Sequence, residues 1–404
     1  ARPLYARAAR DNVASLRVLL PLRAQLALGD GPTPGMEDIP VPTVGKSDEG
    51  VVQASEVLTC QLQRCAVRGL RSRRSSRGSG WGGQADQFWL RPLRRGFRQC
   101  FAALRDEAGW TVLEPLSELA LAESNGKLYL MGGYPQNRVT ARTVQIYDIA
   151  SDSWQLGPPL PQPNNHGMAA SVNGKIYLIG GQTTDDQNGA TAVNTVYELD
   201  PARGTWVEKA PMPTARSGGV AVANGDKIYV AGGRLPRGND FAVYDVATDT
   251  WEVLPDLPSQ RNHLTGAAIN GRIHIVGGRL ANGLTPQKSA AHEVYDPQTR
   301  TWTTAAPMLR GRSGINGVMA RGCFHVWGGE DPSVPFPGML TDHDYYDPRT
   351  DKWSSLPPMP IPVHGVVGSA FVNGLIWVTG GGTGLGGSHG SHHNQVYRPA
   401  VSCE

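Results

Sequence analysis

The chain has 404 residues, and glycine (50) with proline (31) makes up about a fifth of it, against roughly an eighth in average proteins. So many turn-formers argue against a helix bundle or coiled coil, while 40% hydrophobic residues can fill a large core and exclude a wholly disordered chain. The net charge of +3 hides two unlike parts: residues 1–108 hold 17 Lys and Arg against 10 Asp and Glu, and residues 109–404 hold 21 against 25.

In chain order, residues 1–108 are expected to be an arginine-rich extension of low order. Its longest apolar stretch, Leu16 to Leu28, is interrupted by Arg17, Pro21 and Arg23, well short of the ~20 residues that cross a bilayer. No secretory leader pattern is visible, so a soluble chain is expected, with the cytoplasm as its place. Between Arg64 and Arg105 eleven arginines stand against one acid, Asp86. Such a block can hold nucleic-acid phosphates, but no nucleic-acid module accompanies it, and serine and glycine around Arg71–Gly83 favour a solvated segment. The five cysteines, Cys60, Cys65, Cys100, Cys323 and Cys403, form no paired CxxC pattern, so no zinc site is expected.

After residue 109 the chain repeats. A Gly-Gly pair ends a short apolar run six times, at Gly132-Gly133, Gly180-Gly181, Gly232-Gly233, Gly277-Gly278, Gly328-Gly329 and Gly380-Gly381, at intervals of 48, 52, 45, 51 and 52 residues. A tyrosine follows each pair: Tyr147, Tyr197, Tyr244, Tyr295, Tyr346 and Tyr397. A tryptophan then follows the first five: Trp154, Trp206, Trp251, Trp302 and Trp353.

Each unit reads as four short antiparallel strands. The first is small and apolar, as in Met168–Val172, and ends in an Asn-Gly turn at Asn173-Gly174, Asn270-Gly271 or Asn373-Gly374, which suits a tight hairpin with positive φ at both central residues. The second runs into the glycines, where the absence of a Cβ lets backbones approach. The third carries the tyrosine, and an Asp-Pro type turn leads to the tryptophan of the fourth.

This pattern resembles the kelch repeat over about 109–399. The resemblance implies an all-β, six-bladed kelch propeller, with residues 1–108 preceding it and a tail at 400–404. The sixth unit lacks its tryptophan strand, and Gly109-Trp110-Thr-Val-Leu113 supplies an orphan fourth strand. Trp110 is therefore expected to complete the blade of Tyr397, closing the ring with strands from both ends.

Two loop sets are expected to share the channel mouth. Sixteen residues before the first glycine stand Asn164, Arg216, Arg261, Arg312 and His364. Directly after the pairs stand Tyr134, Gln182, Arg234, Arg279, Glu330 and Gly382. Five arginines around one opening would favour an anionic ligand, and the kelch adaptors of ubiquitin ligases are similar in gripping acidic peptides with such arginines. The bland alternative pairs them with carboxylates such as Asp245, Asp249 or Asp296.

A copper oxidase of the galactose oxidase type would need cysteine-linked tyrosine and two histidines, and the pattern is not met. His392-His393 looks like part of a flexible loop, and His274 and His325 fill slots held elsewhere by tyrosine or tryptophan, so neither suggests a metal. Glu330 with Arg279 or Arg312 could imitate the acid-base pair of a sialic acid mutarotase, another six-bladed kelch ring. The reading is therefore a non-catalytic binding module for a protein or acidic peptide, without cofactor or metal. A carbohydrate-active enzyme is the alternative.

Overall fold

The computed structural model describes residues 111–404 apart from 187, 284–286 and 336–337. The chain divides into Ala1–Gln84 and Ala85–Glu404, and every described residue belongs to the second unit. The arginine-rich extension and Trp110 lie outside the described residues.

Six sheets follow one another, antiparallel except that Val366–Val367 adds in parallel to the Leu119–Ser124 strand of the first. Sheet 1 holds Leu119–Ser124, Lys127–Met131, Val144–Asp148 and Ser153–Leu156, and sheet 2 holds Met168–Val172, Lys175–Ile179, Val196–Asp200 and Thr205–Lys209. Sheet 3 runs from Val220–Asn224 to Thr250–Val253, sheet 4 from Thr265–Ile269 to Thr301–Thr304, and sheet 5 from Asn316–Ala320 to Lys352–Ser355. Sheet 6 is built from Ala370–Val372, Leu375–Thr379, Ser388–Tyr397 and, as its outer strand, Thr111–Leu116. The ring is thus a six-bladed propeller closed by the N-terminal strand. Among the described residues there is no α-helix.

The strand chemistry follows from position in the blade. Second strands such as Lys175–Ile179 are buried on both faces because each sheet is covered by its two neighbours, so they read as unbroken apolar runs. Fourth strands such as Thr250–Val253 are mostly exposed. Each of the six sheet interfaces has its own apolar core. The closing one packs Val112 and Leu116 from the N-terminal strand against Tyr147, Trp377 and Val396. The hairpin turns take the expected backbone, with φ of 52° and 76° at Asn173-Gly174.

Register explains the aromatic repeat. Tyr147, Tyr244, Tyr295 and Tyr346 lie directly opposite Trp154, Trp251, Trp302 and Trp353. In sheet 2 the spacing is nine residues instead of seven, and Leu199 takes the place opposite Trp206. The indoles also staple blades together: Trp206, Trp251, Trp302 and Trp353 donate Nε1–H to the carbonyls of Pro158, Ala210, Pro255 and Ala306 in the preceding units, at 2.8–3.0 Å.

The Gly-Gly pairs do the same near the axis. The N–H of each second glycine donates to a carbonyl of the connection entering the next blade: Gly133 to Asn164, Gly181 to Arg216, Gly233 to Arg261, Gly278 to Arg312, Gly329 to Val363 and, closing the circle, Gly381 to Leu116. A Cβ at Gly132 would lie 2.1 Å from the Asn164 carbonyl oxygen, so the approach requires glycine. The tail is held too. Cys403 forms a disulfide with Cys323 in sheet 5, and its N–H donates to the Arg321 carbonyl.

The buried cluster at the channel mouth

Backbone bridges join the two loop sets on one face: Ser117 to Tyr134, Asn165 to Gln182, Asn262 to Arg279, Ser313 to Glu330 and His364 to Gly382. The residue after each of these five first partners, and after Ser217, whose carbonyl accepts the Arg234 N–H, enters the channel with positive φ. These are Glu118 (54°), His166 (50°), Gly218 (66°), His263 (56°), Gly314 (66°) and Gly365 (65°). Successive members are linked by hydrogen bonds, His166 N–H to Glu118 O, Gly218 to His166, His263 to Gly218 and Gly314 to His263, at 2.7–2.9 Å. Three blades use the residue best suited to this conformation, and three place a side chain there against the steric preference.

Those three side chains meet residues of the second loop set. Glu118 lies 3.3 Å from both His166 Nε2 and His364 Nε2, and His364 Nε2 is 3.6 Å from Glu330. Arg279 pairs with Glu330 and donates to His263 Nε2 at 2.9 Å, while Arg234 donates to His166 Nε2 at the same distance. His166 and His263 each donate Nδ1–H to the amide oxygen of the preceding asparagine, Asn165 or Asn262, at 2.6 Å. Every one of these groups is buried.

Charge follows from this packing. Burial works against the Glu118 carboxylate, but the facing His166 and His364 rings outweigh it and hold its carboxyl well below the usual range. Burial pushes His166 down to about 3, and burial with Arg279 and Arg234 keeps His263 neutral. His364 is moved the other way: burial is overcome by Glu330 and Glu118, which raise it. Glu118 is therefore held ionised beside two neutral imidazoles, with His364 biased toward its charged form.

The proposed arginine ring divides. Arg234 and Arg279 join the channel cluster with Glu330 and His364. Arg216, Arg261 and Arg312 turn into their own blades. Arg216 donates to the Val230 and Asp240 carbonyls, Arg261 to Gly277, Ala291 and the Glu293 carboxylate, and Arg312 to Gly328, Asp342 and the Asp344 carboxylate. Burial lowers Arg216 to about 10. Asn164 makes the same reach to the Gly180 carbonyl. Their partners are not the carboxylates considered from sequence, since Asp245 pairs with Lys227, Asp249 with Lys209 and Asp296 with Arg272.

Counting sixteen residues back also misplaces His364. Val363 carries the carbonyl equivalent to those of Asn164, Arg216, Arg261 and Arg312, and His364 is bridged like Asn165 and Asn262. His392-His393 belongs to the strand Ser388–Tyr397 rather than a loop. His274 and His325 are buried and contact His292 and His343 at 2.8 and 3.0 Å. Glu118, His166 and His263 were not singled out as a site. The signal available in the sequence was a position, two after Asn164, Arg216, Arg261 and Arg312, that alternates His and Gly.

The KLHDC2/KLHL20/DRC7 Kelch-repeats domain model matches residues 112–278 and 169–382. Kelch-like protein 23 of Homo sapiens is 28% identical over 243 residues, 59% of this chain and 42% of that protein. Kelch-like protein terF of Aspergillus terreus is 30% identical over 292 residues, 66% of this chain and 61% of that protein, so the chain spans less than two thirds of either relative. The solved structure of YjhT has the same fold at a TM-score of 0.56 and 17% identity, covering 71% of this chain and 94% of its own. Repeat, ring and family match agree, and the chain belongs to the kelch-repeat family.

Proposed function

We propose that this propeller is a binding module that receives an acidic segment of a protein partner on the channel-mouth face. The observation that carries the reading is Lys288. Its backbone is bridged to Arg279, and its Nζ is sheltered from solvent without a hydrogen-bond partner among the described residues. Burial and then Arg279 lower its pKa, so a carboxylate beside it would relieve both costs. Half-exposed Arg237 and Arg310 stand on the neighbouring loops, Arg237 beside Asp240 and Arg310 beside Asp331 and Asp342. The kelch-like relatives support a propeller used for contact with other proteins.

The test is selection of acidic peptides by display on the full chain, followed by affinity measurement. Lys288→Ala is expected to weaken binding about tenfold, the size of one charge-assisted hydrogen bond, with an unchanged melting temperature, and added salt is expected to weaken wild-type binding. Binding indifferent to Lys288 and to salt overturns the reading. The Arg279–Glu330 contact supports a second reading, a sugar-acting enzyme. It predicts exchange between sugar anomers, seen by NMR, that Glu330→Gln abolishes.

A further inference from the structure

We propose that Glu118, His166 and His263 form a binding site for a divalent first-row transition-metal ion inside the channel. One ligand atom from each lies within 4.8 Å of the other two, and all three residues are buried. Two imidazoles and one carboxylate are a ligand set suited to zinc or iron(II), with further coordination positions left open. A pocket with room for about one water-sized ligand adjoins them, lined by the three residues together with Gly218, Gly314, Gly365, Leu264 and Ile315.

Two further observations point the same way. First, Asn165 and Asn262 accept the Nδ1–H of His166 and His263, which fixes one tautomer in both rings and turns the Nε2 lone pairs toward the cluster. Metal-binding histidines are oriented by such hydrogen bonds. Second, these three blades carry side chains at a positive-φ position where the other three have glycine. A side chain in this conformation persists only where its surroundings hold it there.

Arg234 and Arg279 set the affinity. Each donates to one of the two Nε2 atoms, so the ion takes those lone pairs in competition with a guanidinium group. Arg279 is at the same time paired with Glu330. The selectivity is for an ion that binds imidazole well, and not for magnesium or calcium, which prefer oxygen.

The experiment is cobalt(II) titration of the full chain, read by its visible d–d absorption and by calorimetry, with zinc(II) as competitor. One ion per chain is expected. His166→Ala and His263→Ala should weaken it by more than about a hundredfold, Asn262→Ala by about 10–100-fold, and His392→Ala not at all. Arg234→Met should tighten it, about tenfold on the reasoning that a competing hydrogen bond to a charged group is lost. Should an alanine variant fail to fold, near-isosteric Glu118→Gln takes its place and is expected to lose the site. Absence of stoichiometric binding at millimolar cobalt(II), or binding that survives His263→Ala and Glu118→Gln, overturns the proposal.

Discussion

Arg279 and Glu330, on neighbouring sheets and 51 residues apart, form a buried ion pair whose carboxylate also accepts the Gly386 N–H from the loop of sheet 6. One contact thus ties sheets 4, 5 and 6 together at the mouth. Glu330→Gln keeps the shape but leaves a buried guanidinium without its counter-charge, and the expected cost is about 3–5 kcal/mol in urea unfolding. A loss below about 1 kcal/mol would mean that the pair is not closed in solution.

Arg261 and Arg312 act as internal braces, each spanning strands of its own blade and ending on a buried carboxylate. Arg261→Ala or Arg312→Ala is expected to destabilise by about 3–5 kcal/mol, since Glu293 or Asp344 is left buried and unpaired. The same change at Arg272, whose pairing with Asp296 is exposed, is expected to cost under about 1 kcal/mol. Equal melting temperatures for the three variants would remove the distinction between brace and surface.

Acid should unfold the propeller through its histidine pairs. Burial, then His292, pushes His274 down to about 3. Burial pushes His292 and His325 to about 4, and burial with His325 holds His343 well below 6.5. The unfolded chain therefore binds more protons between pH 6.5 and about 4, and stability falls as pH falls through that window. The expected slope is at most about 1.4 kcal/mol per pH unit for each histidine. Denaturant melts from pH 7.5 to 4.5 measure it, and the double change His325→Phe with His343→Phe should flatten it.

Blade number, hairpin turns and the aromatic register are legible because each is set by local chemistry repeated four to six times. The channel cluster is not, because closure creates it: Glu118 reaches His364 only when the two ends of the chain share a ring. Counting from the glycines misaligns His364 by one residue, and the trace is in the sequence, where Trp353 to Gly380 spans 27 residues and the four units before it, from Trp154 to Trp302, span 26. The arginines misled for a physical reason. A guanidinium at a loop position can satisfy blade carbonyls as well as a ligand, and spacing does not separate the two.

The tail carries structural weight. Cys403→Ser should lower stability by about 2–5 kcal/mol, the usual range for a native disulfide, and reductant should lower the wild type to the level of the variant. Thermal melts with and without reductant provide the check, and identical melts would show that Cys323 and Cys403 are not joined.

Hydrogen exchange on the full chain, with and without the tightest display-selected acidic peptide, addresses the binding account most directly. Protection is predicted in the loops that carry Arg237, Lys288 and Arg310, with the Asn-Gly turns at residues 173–174, 270–271 and 373–374 unaffected. Protection of those turns instead would place the partner on the opposite face and contradict the account.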